Sequence, residues 1–423
     1  AKDGQGALAI TDLSNLFGAV KFYSQARKKG VKPILGADIW LESDSGEKQA
    51  SRLLLLVQSR EGYLNLCEIL SKAWIANEQR GQAWVKWEWL AELGGGLIAL
   101  SGADLGAQNA GVYIQPGAHR ARVAHCDFTY TLFGLWIEKV EDVRIEHNII
   151  TGKRDLDSSQ RGNGIELYNT TGAQIVGNNI SFVRDAIYVD VSHRAIFRGN
   201  KMHHSRYGTH YMNSYHNLWE DNDTYYNRGG LALMEVRDQV VRNNRAWGNS
   251  DHGIMLRTIQ DAVVENNIVA GNARGFFIYD AEYNTLRGNL VVDNQVGMHV
   301  WAGSVRNVVE KNDFIANREQ VKYVASKDEK WGAESGNHWS NYVGWDRNGD
   351  GHGDVTYEAN DMVDRLSWRH PMVKLLMASP AIQTLRLIAQ QFPLLRAPSI
   401  VDPKPRMRPQ HSDWRNWLGK HYR

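Results

Sequence analysis

Imidazole and thioether side chains recur at a regular spacing in the middle of this 423-residue chain. His210 and Met212 are separated by one residue, and Met234 and Met255 follow at intervals of 22 and 21 residues. Imidazole and thioether donors suit Cu(I), which is a soft ion. Whether the four side chains can share one ion depends on the elements that carry them.

A repeat of 22 or 23 residues, with one longer interval, identifies those elements. Glycine, or once alanine, starts a short apolar strand nine times between Gly111 and Gly297, and a second series of asparagines runs from Asn148 to Asn312. A period this short, with several strands in each repeat, is typical of a solenoid. We therefore predict a mainly β fold, a parallel β-helix of about nine coils in which the asparagines stack from coil to coil.

Alternation along each strand predicts which side chains face outward. The first and third residues after each glycine are apolar and should fill the interior, so the second and fourth should face solvent. The outward set includes a predicted partner or ligand face, formed by Trp136, Glu166, Tyr188, Asp190, Phe277 and Trp301.

The copper candidates belong to the same outward set. Met212 and Met234 should lie side by side in adjacent coils, and Ala232 should leave a recess between neighbouring side chains. We expect His210, Met212, Met234 and Met255 to rim one cup for Cu(I). His203 and His299 are candidate secondary metal ligands. We expect His203 and His204 to point to opposite faces, because they are adjacent in sequence.

Two other interpretations of this face stay open. In the first, the methionines and aromatic rings only pack under a loop or a partner domain. In the second, the face binds a sugar polymer. Tyrosine, tryptophan and carboxylates on a β-helix also suit carbohydrate, and Glu166 or Asp190 would then carry the acid/base chemistry of a polyuronide lyase or epimerase.

Composition and charge limit the other functions. The formal net charge is +2, so nucleic acid is not an expected partner of residues 107–423. Two cysteines exclude a disulfide framework and a four-cysteine zinc site. No apolar run is long enough to span a membrane, and the N-terminus does not have the pattern of a signal peptide.

The chain divides into four predicted regions. Residues 1–105 contain no histidine and alternate buried strands with amphipathic helices, as in an incomplete α/β segment. Residues 106–325 form the β-helix, 326–360 an Asp/Asn/Gly-rich loop region, and 361–423 amphipathic helices with a basic, mobile tail. In the loop region Asp346, Asn348, Asp350 and Asp354 are candidate Ca²⁺ ligands, with an Asx-rich turn as the alternative.

The first region resembles the PHP domain that opens bacterial replicative DNA polymerase III α subunits. The resemblance rests on "ITDLSNLFGAVKFYSQARKKGVKPILGADIWLES", "SREGYLNLCEILSKAW" and "GLIALSGADLG". In active domains of this type, histidine clusters hold the metals. This region keeps Asp12, but a leucine follows it where a metal-binding version has a histidine. We therefore expect a non-catalytic fragment of a polymerase, joined to the rest by gene rearrangement or fusion.

Later strings resemble the NosD family of nitrous-oxide reductase maturation proteins over about residues 108–410. They include "RGNGIELYN", "DAIYVDVSHRAIFRGN", "THYMNSY", "LALMEV" and "NYVGWDRNGDGHGDVTYEANDMVDRLSWRHPMVKLL". The resemblance implies a right-handed β-helix in the periplasm that binds and transfers Cu(I) and is not an enzyme. It implies four partners: the membrane subunit and the ATPase of an ABC transporter, a copper donor chaperone, and nitrous-oxide reductase with its copper–sulfide cluster.

Overall fold

The computed structural model describes residues 6–42, 51–79, 81–101, 110–324, 328–359, 363, 366, 370–376, 379–391 and 400–422. The chain forms two compact units, Ala1–Ile114 and Gln115–Arg423. The predicted α/β segment lies in the first unit, and the predicted β-helix lies in the second.

The first unit is a mixed sheet with helices packed on it, which confirms the α/β prediction. In chain order the elements are β1 (Ala7–Leu13), α1 (Ala19–Lys28), β2 (Lys32–Leu41), β3 (Ser51–Val57), α2 (Arg60–Ala76), β4 (Glu78–Gln79), β5 (Gln82–Val85), α3 (Trp87–Leu93), β6 (Leu97–Ser101) and β7 (Ala110–Ile114). Strand β2 pairs in parallel with β1 and antiparallel with β3, and the order across the sheet is β4-β5-β2-β3-β6. Helix α2 buries Leu66 and Ile69 in one core with Ile39 and Leu55.

The second unit is the predicted parallel β-helix, with three sheets running along its length. In the second unit, sheet A contains Phe133–Glu138, Ile165–Tyr168, Asp185–Asp190, Tyr207–Met212, Gly229–Arg237, His252–Gln260, Arg274–Tyr279, Val296–Val300 and Glu319–Tyr323. Sheet B contains Arg122–Ala124, Arg144–Glu146, Gln174–Val176, Ile196–Arg198, Leu218–Glu220, Val240–Arg242, Val263–Glu265, Thr285–Arg287, Val308–Glu310 and Lys330–Trp331. Sheet C contains Asp127–Thr131, Ile149–Gly152, Asn179–Ser181, Lys201–His203, Asp223–Tyr225, Arg245–Trp247, Ile268–Ala270, Leu290–Val292, Asp313–Ile315 and His338–Trp339.

The interior is narrow and apolar. Ala186 and the glycines that occupy the same place in the other coils are called the marker residues below. Ile187 and Val189, the first and third residues after Ala186, are fully buried, as the alternation predicts. Phe197 and Trp219 stack in neighbouring coils with ring centroids 3.9 Å apart. The glycines that start the strands of sheet A face this interior. A Cβ atom on Gly164 would lie 2.4 Å from a side-chain carbon of Ile180, so the coil closes only where the marker residue is very small.

The asparagine series forms the predicted ladder inside the corner between sheets B and C. Asn178 is representative: its Nδ2 donates to Asn200 Oδ1 at 3.0 Å and to the Ile145 carbonyl at 2.9 Å. Its Oδ1 accepts bonds from the backbone N–H and the Nδ2 of Asn148. Each buried amide therefore satisfies groups in the coil before and the coil after its own, which holds the coils in register.

The repeat continues past residue 325, where we predicted that it ends. Strands Lys330–Trp331 and His338–Trp339 add to sheets B and C. Beyond them, Tyr357–Ala359 pairs antiparallel with Ile400–Asp402. The predicted amphipathic helices are present as a 3₁₀ helix, Pro371–Leu376, and α4, Pro380–Gln391; residues 377–378 and 392–399 lie outside the described residues.

The C-terminal segment is anchored on the solenoid, and the prediction of a mobile tail was wrong for residues 400–422. Asp402 Oδ2 accepts bonds from the backbone N–H and Nδ2 of Asn337, at 2.8 and 3.1 Å, where the next asparagine of the ladder would stand. Asp313, on the last part of sheet C, binds Arg406 and His411 of the tail. The tail then crosses the outer face of sheet C, and a 3₁₀ helix, Trp414–Trp417, packs there. Sequence reasoning missed this because these partners are more than 60 residues apart in the chain.

Removing one amide of the ladder should destabilise the solenoid. In Asn178→Ala the Asn148 N–H and the Ile145 carbonyl lose buried partners, so we expect the free energy of unfolding to fall by about 2–4 kcal/mol in denaturant titrations. The neighbouring residue, Asn179, is exposed, and in the described chain its side chain bonds only to His203. Asn179→Ala should cost less than about 1 kcal/mol. Equal losses in the two variants would contradict a structural role for the ladder.

Candidate functional site

The outer face of sheet A carries the predicted candidates in one continuous row. Strand pairing places Tyr188 beside His210, His210 beside Ala232, and Ala232 beside Met255. The row continues through Phe277 to His299. The pairing confirms the predicted order of these residues along the sheet, but Ala232, Met255 and His299 are buried and do not face solvent as predicted.

A second row lies next to the first, and sequence reasoning missed it. It consists of the residue immediately before each marker glycine. The marker and the residue after it both face the interior: a Cβ on Gly208 would meet Thr224, and Thr209 is fully buried. Because two consecutive residues face inward, the alternation along the strand is interrupted. The side chain of the residue before the marker therefore lies on the outer face. Asp185 and Tyr207 belong to this second row, and both contact His210.

His210 is held by a buried carboxylate. Its Nδ1 lies 3.1 Å from Oδ2 of Asp185, and Arg206 binds the same carboxylate through Nε at 2.9 Å and through Nη2. The Arg206 Nη2 is also 3.3 Å from Nδ1. Since an ionised carboxylate only accepts hydrogen bonds, we assign the proton to Nδ1. Nε2 then carries the free lone pair, as in metal-binding histidines whose other nitrogen donates to a carboxylate.

The charge on Asp185 is stabilised by these same partners. Burial on its own would raise the pKa of Asp185. Hydrogen bonds from His210 and Arg206 outweigh burial and hold the pKa below its ordinary value. Asp185 therefore stays ionised at neutral pH and fixes the orientation of the imidazole.

Two small residues lie on the strand between those of His210 and Met255. Gly229 and Ala232 belong to this strand of sheet A, and both are buried. The preceding strand carries His210, and the following strand carries Met255, which is 8% exposed. A Cβ atom on Gly229 would lie within 2.7 Å of neighbouring ring atoms, so the space beside it is filled. A recess at Ala232 stays a prediction.

The remaining methionines lie one residue beyond the paired part of their two strands. Met212 and Met234 are both half-buried, and they follow Tyr211 and Leu233, the last residues paired between these strands. Met234 is two residues from Ala232 and lies beside Arg257 of the next coil. A cup in which these thioethers share an ion with His210 stays a prediction.

The candidate secondary ligands lie outside the cup. His203 is on sheet C, whereas the cup is on sheet A. The expectation that His203 and His204 diverge was wrong: the two Nδ1 atoms are 2.8 Å apart, because His204 adopts a left-handed backbone with φ of 55°. His299 is on sheet A, but it is two coils beyond Met255.

The predicted partner face extends from the cup in both directions. On the N-terminal side of the cup, the Asn163 amide donates a hydrogen bond to Glu166 at 3.0 Å, and burial raises the pKa of Glu166. Asp190 accepts a bond from Asn213 at 3.0 Å. The aromatic members are half-buried or exposed, with Tyr188 edge-on to His210 at 5.1 Å: Trp136, Tyr188, Phe277 and Trp301.

The candidate calcium loop has the geometry of an Asx-rich turn. Both oxygens of Asp346 accept backbone N–H bonds, from Gly349 at 2.7 Å and from Gly351 at 2.9 Å. Asn348, Asp350 and Asp354 also accept backbone N–H bonds within the loop. Calcium binding by this loop stays a prediction.

Among the described residues, no group of three or more His, Cys, Asp or Glu side chains is arranged to hold a metal. None of the described helices is long and apolar enough to cross a membrane.

The two units match different families of known proteins. Residues 146–344 match NosD, the periplasmic copper-binding protein family, and residues 1–126 match the PHP domain. The probable ABC transporter binding protein NosD of Stutzerimonas stutzeri is 38% identical over 323 residues, which are 73% of this chain and 74% of that protein. The protein of the same name from Pseudomonas aeruginosa is 38% identical over 322 residues, 73% of this chain and 75% of that protein.

The other similarities are shorter or weaker. The DNA polymerase III subunit alpha of Pseudomonas aeruginosa is 45% identical over 103 residues, which are 24% of this chain and 9% of that protein. The A-module of a mannuronan C-5 epimerase from Azotobacter vinelandii superimposes with a TM-score of 0.38 at 14% identity, covering 52% of this chain and 71% of that chain. A TM-score this low gives no information about function.

His299 should make the stability of the solenoid depend on pH. Burial, with smaller contributions from Lys322 and Arg274, lowers its pKa to about 4 from 6.5. Between these two values the unfolded chain holds a proton that the folded chain does not, so stability decreases as pH falls. Between pH 7 and pH 5 this residue should remove about 2 kcal/mol.

Denaturant titrations at the two pH values measure the effect. His299→Phe should lose about 2 kcal/mol less than the wild type on acidification, while His216→Gln, at an exposed histidine, should retain the wild-type loss. An unchanged pH dependence in His299→Phe would contradict the assignment.

Proposed function

Because the chain belongs to the NosD family, we propose that its β-helix binds Cu(I) as cargo and delivers it for maturation of the copper–sulfide cluster of nitrous-oxide reductase. The β-helix would work in the periplasm. Its partners would be the membrane subunit and ATPase of an ABC transporter, a copper donor chaperone, and the reductase. Its role is binding and transfer, without catalysis of bond formation.

The support for copper binding is the environment of His210. The buried Asp185 fixes the imidazole through Nδ1 and leaves Nε2 as a donor. Met212, Met234 and Met255 supply soft sulfur donors around the predicted recess. Carboxylates are hard ligands, and Asp185 is already occupied by His210 and Arg206, so the site favours Cu(I) over hard cations.

The exposure of the donors fits release as well as capture. Met212 and Met234 are half-buried, whereas Met255 is nearly covered. A partner's donor atoms could therefore replace the outer thioethers first, and the ion would pass from one ligand set to another without entering water. The adjoining Tyr188, Glu166 and Trp136 provide an aromatic and acidic surface for that partner.

Anaerobic titration of the full chain with Cu(I), in competition with a chromophoric Cu(I) chelator, tests the proposal. The triple variant His210→Ala/Met212→Ala/Met234→Ala should bind Cu(I) at least 100-fold more weakly than the wild type. The matched control His370→Ala/Met372→Ala/Met407→Ala removes the same residue types away from sheet A and should bind as the wild type does. Undiminished binding by the first variant would exclude the cup.

A polyuronide lyase or epimerase is the second candidate, and Glu166 is the observation that favours it. A carboxyl group with a raised pKa near Tyr188 and Asp190 could act in general acid/base catalysis. We expect no change in alginate or pectate incubated with the protein, monitored by ultraviolet absorbance for unsaturated products and by NMR for epimerisation. Turnover that Glu166→Gln abolishes would replace the copper proposal with an enzymatic one.

For residues 1–105 we propose no catalytic role. The segment has no histidine, and Asp12, which remains from the metal-binding pattern, accepts a bond from the Gly18 N–H at 2.8 Å. This segment is a fragment of a PHP-like domain, and a binding assay with polymerase subunits would reveal any remaining replication partner.

A further inference from the structure

We propose that His252 is a second imidazole ligand for Cu(I), on the wall of the predicted recess that faces His210. The inference rests on the proposed copper function and adds a donor that the sequence pattern did not indicate. His252 belongs to the row of residues immediately before the marker glycines, to which the sequence analysis assigned no face.

The first observation is that His252 is buried without hydrogen bonds. Its side chain is 2% exposed, and neither Nδ1 nor Nε2 has a hydrogen-bond partner among the described residues. The nearest carboxylate oxygen, Oδ2 of Asp251, is 3.7 Å from Nδ1, which is too far for a hydrogen bond. Buried polar atoms in native proteins nearly always have a hydrogen-bond partner, so a buried imidazole without one calls for an explanation.

The second observation is the position of the ring over a glycine. A Cβ atom on Gly229 would lie 2.5 Å from Nε2 of His252 and 2.7 Å from Cδ1 of Tyr207. The Nε2 edge of His252 therefore reaches across to the preceding strand, into space that any other residue at position 229 would fill. That space adjoins the predicted recess at Ala232.

The third observation connects the two histidines. The ring of Tyr207 is 5.7 Å from the ring of His210 and 5.7 Å from the ring of His252, measured between centroids. The two imidazoles belong to the strands on either side of the one that carries Gly229 and Ala232. Each has to span only about 4.8 Å, one coil spacing, to reach an ion above that strand.

The resulting donor set is coherent. His252 and Met255 lie three residues apart on one strand, and residues with the same spacing contact each other elsewhere on the sheet, as Arg274 does with the Phe277 ring at 4.1 Å. Two imidazoles with thioethers give a mixed nitrogen and sulfur site, which suits a soft ion. In the proposed site, His252 is the buried donor, and Met212 and Met234 are the donors closer to solvent.

Copper K-edge X-ray absorption of the Cu(I)-loaded full chain counts the donors directly. We expect two imidazole nitrogens per copper in the wild type and one in His252→Phe, with at least a tenfold loss of affinity for Cu(I). The matched control is His299→Phe, which replaces a histidine of the same face that is also buried, 7% exposed, with an unpaired Nε2. The control should keep both nitrogens and the wild-type affinity.

Gly229→Ala provides a second variant that keeps every donor atom. Its methyl group would occupy the place of Nε2, so affinity should again fall at least tenfold and one nitrogen should disappear from the spectrum. A single imidazole in the wild-type spectrum, or wild-type affinity in both His252→Phe and Gly229→Ala, would overturn the role of His252 while leaving the cup intact. If the wild type takes up no Cu(I), the proposed function itself fails.

Discussion

The structure of the second unit depends on the close approach of the backbone to interior side chains at the start of each strand of sheet A. Only a glycine, or once an alanine, fits there, because a Cβ atom would meet interior side chains of sheet C, as at Gly164 and Gly208. This constraint makes two successive residues face inward. As a consequence the outer face carries two rows of side chains where simple alternation allows one, and the candidate site is built where these rows meet.

The chemistry of the site follows from a small set of buried polar contacts. Asp185 is shielded from water, yet two donors keep it ionised. It can therefore hold His210 in one orientation without offering a hard ligand to a metal. On the neighbouring strand, Gly229 lacks the side-chain atoms that would collide with the rings of His252 and Tyr207. Donor side chains held in place by such packing are what a binding site requires.

Much of this architecture could be predicted from the sequence because the repeat is regular. The spacing of glycines and asparagines predicted the coils, the interior residues Ile187 and Val189, and the outward position of His210. Contacts that break the pattern could not be predicted. The left-handed backbone of His204 reverses the expected divergence of the two histidines, and Asp185 and His252 face outward only because the alternation is interrupted. The anchoring of the tail by Asp313 links residues far apart in the chain, where no periodicity exists.

The replacement of an asparagine by Asp402 at the end of the ladder has an electrostatic consequence. In the ladder each amide accepts a bond through Oδ1 from the amide of the coil before it and donates one through Nδ2 to the amide of the coil after it, so the amide-to-amide bonds all run in one direction along the solenoid axis. The donor end of the ladder meets the carboxylate of Asp402, which is fully buried and also accepts the Trp339 indole N–H at 2.9 Å. A carboxylate only accepts hydrogen bonds, whereas an asparagine at this buried position would add an N–H₂ group that needs further partners. The ladder thus ends on a negatively charged acceptor at its donor end.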